Sequence, residues 1–195
     1  MILKMIKNGA IAGNVYVLLS GGIDSAACVA FYLEQGFSVQ GIFIDYGQVA
    51  AQREADAAKA IAKHFNILFD RVAWSGLHKK DAGLICGRNA FLLIAALMEL
   101  PECAGILALG IHSGTEYIDC TPAFVQKMQS ILDIYTQGRI QFGAPFLKWT
   151  KQEIWKYCKY RGVPLELTYS CEYGVDQPCG KCLSCRDLEV LYACT

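Results

Sequence analysis

The sequence of 195 residues is 54% apolar and 18% charged, and its 18 Lys and Arg balance 18 Asp and Glu. A net charge of zero leaves no basic excess to neutralise a nucleic-acid backbone, and the longest apolar run, Ala90 to Met98, is too short to span a bilayer. The length suits one α/β domain with a small appendage.

Near the start, Lys4 and Lys7 are followed by Asn8-Gly9 and Gly13-Asn14, which interrupt any leader-like apolar stretch, so a cytoplasmic protein is expected. Val15-Tyr16-Val17-Leu18-Leu19 is an unbroken apolar run suited to a parallel strand covered on both faces. It stops at Ser20-Gly21-Gly22. Ser25 then opens an apolar segment at helical spacing, Ala26 to Leu33. The glycines let backbone N–H groups close on an anion, and a helix N-terminus favours phosphate. Where a Walker-type loop needs Lys followed by Ser or Thr, this chain has Ile23-Asp24-Ser25-Ala26. The plain reading is an ordinary β-to-α turn. The hexapeptide SGGIDS, however, resembles the SGGxDS loop of PP-loop pyrophosphatases, and that resemblance implies ATP bound so that pyrophosphate leaves and AMP is transferred.

Gly41 to Gln48 reads as a second strand ending in a polar turn. A parallel βαβ unit would bring Asp45 and Gln48 near the phosphate loop, because ligands sit off the carboxyl ends of such strands. Ala50 to Phe65 is expected to be helix and Ile67 to Val72 a third strand. Arg88 and Asn89 open the apolar helix Ala90 to Leu100, placed either to meet a phosphate or carboxylate or to act as a solvated Arg and a capping Asn. Gly105 to Gly110 is the next buried strand, followed by the polar loop Ile111 to Cys120, a type of segment that contacts substrates. In it His112 reads as a structural histidine or a ligand contact, while Glu116 and Asp119 are solvated acids or groups for Mg²⁺ or a nucleobase edge. Helix Thr121 to Gln137 has Pro122 in its first turn. Thr150-Lys151-Gln152-Glu153 is a capping box for the helix Ile154 to Arg161, and a cation at that helix start opposes the dipole, which marks Lys151 as a functional candidate.

Of ten cysteines, Cys171, Cys179, Cys182 and Cys185 cluster, separated by seven, two and two residues. Four soft thiolates with Gly174, Pro178 and Gly180 to turn the chain suit a closed tetrahedral Zn²⁺ site of structural role. Iron–sulfur ligation competes, because Cys-x-x-Cys-x-x-Cys also serves ferredoxin-type clusters.

Taken in order, SGGIDS, IDYGQ, GRN, Tyr117-x-Asp119-Cys120, PFLKWTKQEIW and the four-cysteine tail resemble the 7-cyano-7-deazaguanine synthases over about Val15 to Cys185. The resemblance implies a Rossmann-like, three-layer α/β PP-loop ATP-pyrophosphatase fold with a parallel sheet over residues 1–165 and a small zinc-binding segment over 166–195. It implies ATP, Mg²⁺ and Zn²⁺ as cofactors, 7-carboxy-7-deazaguanine and ammonia as substrates, and a homodimer. On this reading Ser20, Gly21, Gly22, Asp24 and Ser25 hold pyrophosphate and help place Mg²⁺, with Asp45 and Gln48 beside them. Arg88 and Lys151 offset charge on the phosphates, and Arg88, Asn89, His112, Tyr117 and Asp119 face the deazaguanine.

The chain departs from that family's pattern where an Arg-His pair and a Glu are usual and Val49, Ala50 and Arg53 stand. It departs again at Cys86, at His112 to Thr115, at Ile118 and at Leu188. These drifts fall on the acceptor side, so a member that stops at the amide or joins the deazaguanine carboxylate to a protein amine is the alternative. A non-enzymatic zinc module, or another PP-loop ligase such as a tRNA-thiolating enzyme, is a further one.

Overall fold

The computed structural model describes residues 12–74, 85–115 and 117–193. The N-terminal lysines and Glu116 lie outside them. Five strands, β1 (Ala12–Leu18), β2 (Phe37–Asp45), β3 (Leu68–Ala73), β4 (Gly105–Ala108) and β5 (Ile140–Gly143), form one parallel sheet in the order β3-β2-β1-β4-β5. Helices α1 (Ile23–Glu34), α2 (Ala51–His64), α3 (Arg88–Glu99), α4 (Pro122–Thr136), α5 (Lys151–Arg161) and α6 (Leu183–Ala193) complete it.

The side-chain alternation of β1 explains the three layers. Val15, Val17 and Leu19 join one core cluster with Ala27 and Val29 of α1, Ile61 of α2 and Ile154 of α5. Tyr16 and Leu18 join a second with Leu93 and Ala96 of α3 and Leu132 of α4. From Val15 to Leu19 both faces are covered, which is why that stretch is a continuous apolar run, while Gly13 and Asn14 at the start of β1 are exposed. The expected strands and helices are present with ends shifted by a few residues, and two elements exceed the expectation. Strand β5 pairs with β4 at the sheet edge, and α6 starts directly after Cys182 and carries Cys185, with Leu191 buried in the α1 and α5 core.

β1 meets β2 on one side and β4 on the other, so the chain reverses its direction of growth between β1 and β4. A crevice opens off the strand carboxyl ends at such a point. Two glycines narrow it. A Cβ on Gly110 would lie 2.7 Å from the backbone carbonyl carbon of Asp24, so the chain leaving β4 passes directly over the first turn of α1. Gly21 has φ +83°, and a Cβ there would lie 2.5 Å from the Glu54 carbonyl oxygen of α2. Substituting Gly21 with Ala therefore combines a left-handed backbone with a backbone clash, and the expected cost is about 2–3 kcal/mol of stability. Thermal melting of the variant checks this, and an unchanged midpoint would show that the loop relaxes freely.

Candidate active site

The crevice is a cleft of about 330 Å³ bounded by the ends of β1, β2 and β4, the first turns of α1, α3 and α5, and the C-terminal segment. Its floor is the SGGIDS loop. α1 starts at Ile23, two residues earlier than the apolar pattern suggests, with extended Gly22 at its N-cap and no side-chain cap. Uncapped N–H groups at a helix start attract anions. The hydroxyls around them are mutually oriented: Ser25 Oγ donates to Gly22 O at 2.9 Å, Ser20 Oγ to Ser25 Oγ at 3.2 Å, and Gly22 N–H to Ser20 Oγ at 3.5 Å. The Tyr169 N–H donates to Gly21 O at 2.9 Å, so the C-terminal segment pins the loop from outside.

Lys151 reaches this floor from α5. The capping box is formed: Thr150 Oγ1 accepts the Glu153 N–H at 3.3 Å and Glu153 Oε2 accepts the Thr150 N–H at 2.7 Å. This fixes the first turn and aims Lys151 at α1, where Nζ donates to both oxygens of Asp24 at 2.6 and 2.7 Å. The cation that opposes the α5 dipole is thus held by an acid at the start of α1. Their charges offset each other and leave the positive end of the α1 dipole facing the cleft. His112, 7% exposed, completes the cluster. Its Nδ1 accepts the Gly114 N–H at 3.2 Å, so the ring proton of the neutral imidazole is on Nε2, 3.9 Å from Asp24 Oδ2. Burial lowers the His112 pKa, opposed by Asp24 and Asp187 and reinforced by Lys151.

The opposite wall carries Arg88, Tyr46 and Glu54. Gly87, at φ +77°, starts α3 so that Arg88 is its first residue and Asn89 its second. Asn89 is not a cap: it is buried, and its Nδ2 donates to Asp119 O at 3.4 Å. Burial raises the Tyr46 pKa while the hydrogen-bonded Arg88 lowers it, and burial likewise raises that of Glu54 against a hydrogen bond from Gln48. Glu54 stands within the Ala-rich α2 and carries no motif; only its position one helical turn after the Gln48 turn could have flagged it.

Ser20, Gly22, Asp24, Ser25, Gln48, Arg88, Asn89, His112, Tyr117 and Lys151 border one cleft, and Gly21, Asp45 and Asp119 are not among its lining residues. Gly21 supports the floor from behind. Asp45 is occupied elsewhere, accepting from Arg71 Nη2 at 2.8 Å and from the Gly47 N–H at 3.1 Å. Asp119 is buried beneath Asn89 and next to Cys120.

Past Tyr169, the C-terminal segment brings the sulfurs of Cys171, Cys179, Cys182 and Cys185 within 4.8 Å of one another, with Cys179 and Cys185 Sγ 3.9 Å apart. A tetrahedral metal with sulfur at about 2.3 Å needs sulfur pairs about 3.8 Å apart, so the four fit a closed site. The Lys181 and Cys182 N–H groups donate to Cys179 Sγ, each at 3.4 Å, and hold its thiol down to about 6, while burial pushes Cys185 up. The same segment contributes Glu172, Ser184, Asp187 and Leu188 to the cleft wall, and Glu172 Oε1 accepts from Ser184 Oγ at 3.0 Å. Arg53 of α2 pairs with Asp176 across this boundary.

A family model described as queuosine biosynthesis protein QueC matches residues 14–89 and 77–190. The chain belongs to the QueC family. Among QueC relatives, a 7-cyano-7-deazaguanine synthase of Synechococcus sp. (strain CC9311) is 36% identical over 200 residues, covering 87% of this chain and 88% of that one. Another, of Prochlorococcus marinus (strain NATL2A), is 33% identical over 213 residues, covering 93% and 92%. Two solved structures share the fold at low identity. One is the U34-tRNA thiolase NcsA of Methanococcus maripaludis with its 4Fe-4S cluster, with TM-score 0.58, 16% identity and coverage of 97% of this chain and 67% of that one. The other is a 4-thiouridine synthetase in complex with RNA and bound ATP, with TM-score 0.52, 17% identity and coverage of 93% and 50%. The QueC-family chain therefore has the PP-loop ATP-pyrophosphatase architecture. Among the described residues no helix is long and apolar enough to cross a membrane.

Proposed function

We propose that the chain converts 7-carboxy-7-deazaguanine to 7-cyano-7-deazaguanine with ATP and ammonia, in the cytoplasm and as a homodimer. The observation that carries this reading is the uncapped SGGIDS loop with its Asp24–Lys151 pair, opening into the same cleft as Arg88 in a chain of the QueC family.

A carboxylate oxygen is a poor leaving group until it becomes part of AMP. The substrate carboxylate attacks the α-phosphorus of ATP, the bond to the bridging β-phosphate oxygen breaks, and pyrophosphate leaves. The N–H groups at the start of α1, with Ser20, Gly22 and Ser25, hold the phosphates. Lys151 and Arg88 balance the negative charge that builds there. Ammonia then attacks the acyl carbon, its carbon–oxygen bond to AMP breaks, and loss of a proton leaves the amide. A second adenylylation, now on the amide oxygen, lets two N–H protons and AMP depart to give the nitrile.

Asp24 is the cleft-lining carboxylate at the phosphate floor and would hold Mg²⁺, which when bound shields phosphate charge. The sulfur spacing and the all-thiolate donor set suit Zn²⁺ in a structural role, closed to water and substrate. His112, Tyr117 and Asn89 complete the side of the cleft that faces the deazaguanine.

A protein amine in place of ammonia is a second reading, favoured by the apolar character of two positions near the acceptor side. Val49 lines the cleft at 50% exposure and Ile118, in the loop after His112, is 82% exposed. Both reactions share the first step. Mass spectrometry after incubation with ATP, Mg²⁺, 7-carboxy-7-deazaguanine and ammonium separates them: AMP, pyrophosphate and nitrile are expected. Accumulation of amide alone would favour the conjugating reading, and absence of AMP would overturn both.

A further inference from the structure

The Gln48 side chain makes three hydrogen bonds, and only one of them leads out of its own turn. Its Oε1 accepts the Tyr46 N–H at 2.9 Å and its Nε2 donates to Ile44 O at 3.3 Å, both at the end of β2. The remaining Nε2 proton goes to Glu54 Oε2 at 2.9 Å. Both amide protons are thereby used, and what the second orients is one carboxylate. Gln48, expected from sequence to touch the nucleotide, lines the cleft and also braces a neighbour.

Glu54 stands on the cleft wall next to the phosphate floor, because its own backbone packs against Gly21. It takes part in none of the ion pairs among the described residues. The other cleft acids are occupied or distant from it: Asp24 is held by Lys151, Glu172 accepts from Ser184, and Asp187 acts on the His112 end. A half-buried carboxylate that lines a cleft and has acceptor capacity to spare calls for donors from whatever binds there. The same cleft is lined by two donors, the Arg88 guanidinium and the hydroxyl of Tyr46.

The wall thus presents donors next to a two-oxygen acceptor. A guanine-type ring presents the complement along one edge: the O6 acceptor, then the N1–H and 2-amino donors. We infer that Glu54, positioned by Gln48, reads the N1–H and 2-amino edge of the base, with Arg88 and Tyr46 toward O6. The assignment rests on the proposed deazaguanine substrate, and it makes Glu54 a specificity residue for that substrate.

The test compares AMP formation from 7-carboxy-7-deazaguanine and from the analogue lacking the 2-amino group, in the full chain and in its Glu54→Gln and Gln48→Leu variants, with thermal melting of each. A site built to pair with an N–H group rejects an analogue lacking it, so the parent chain is expected to prefer the natural acid by ~10²-fold or more in kcat/KM. In Glu54→Gln the preference should fall to near unity, mainly through KM for the natural acid, and in Gln48→Leu it should fall part-way. A merely structural role would slow both substrates equally and keep the preference, which would overturn the assignment. If neither variant folds, the parent chain still decides: a preference near unity removes Glu54 from base recognition while leaving adenylylation standing. No AMP from either acid would instead overturn the deazaguanine reading, and the assignment of Glu54 with it.

Discussion

Replacement of Lys151 by Ala is expected to lower AMP formation by ~10²- to 10³-fold with little change in melting temperature, the scale seen when one fixed charge is removed from a developing oxyanion. The geometry makes the loss double. Lys151 supplies a cation at the phosphate floor, and it also holds both oxygens of Asp24 at the start of α1. Without it the Asp24 carboxylate faces the uncapped N–H groups that the phosphates need. Asp24→Asn should produce a comparable loss by the converse route, leaving the ammonium unpaired and removing the carboxylate proposed for Mg²⁺. Because the two groups act as a unit, the double variant should be barely worse than either single one. Pyrophosphate release under saturating ATP measures all three. Losses that simply multiplied in the double variant would show that Lys151 and Asp24 act independently, and the resting pair would then have no bearing on catalysis.

Cys179→Ser is expected to abolish tight metal binding and to lower the melting temperature by ~10 °C or more, since loss of a closed metal site belongs to the most destabilising class of single changes. Metal analysis and melting curves with and without a chelator check this. The consequences should reach the cleft as well. The backbone that carries Cys171 runs directly on from Tyr169, whose N–H pins Gly21, and Ser184, Asp187 and Leu188 flank Cys185 while lining the cleft. Metal removal should therefore weaken ATP binding in protein that is still folded at low temperature. A colourless protein with one zinc per chain fits the proposed site. A brown one would replace zinc with iron and sulfide, and an unchanged melting curve after metal removal would overturn the structural role altogether.

The central strands were legible because they are buried on both faces, and burial writes itself as continuous apolar sequence: β1 and β4 could be read directly. The edge strand β5 was not. Ile140-Gln141-Phe142-Gly143 is four residues long and half polar, and what secures it is tertiary: pairing to β4 and the side chain of Gln129, whose Nε2 donates to Ile140 O at 2.9 Å and whose Oε1 accepts the Phe142 N–H at 2.6 Å. Helix α6 was hidden for another reason, since the cysteine spacing invites a metal reading and masks the helical period of Leu183 to Ala193.

At the site, residues inside a motif could be found and residues held by long-range contacts could not. Lys151 drew attention as a cation at the wrong helix end, but its partner Asp24 lies 127 residues away and no pattern joins them. Glu54 and Gly110 carry no motif; one is defined by Gln48 and the other by the carbonyl of Asp24 that passes beneath it. Asp45 shows the same limit from the other side. It sits at a strand end, where ligand contacts are common, yet Arg71 of the adjacent strand claims it.

The hydrogen bond from Tyr169 to Gly21 also has a meaning for synthesis. The residues of the phosphate loop are translated before the backbone that clamps them, which lies 148 positions later on the chain. Strands β1 and β2 can pair early, while the loop between β1 and α1 stays unclamped until the cysteine-bearing segment has emerged and folded. A translation product halted upstream of Tyr169 would contain every residue of SGGIDS and still lack the closed loop. Closure of the loop at the start of α1 is thereby tied to the arrival of the four-cysteine segment.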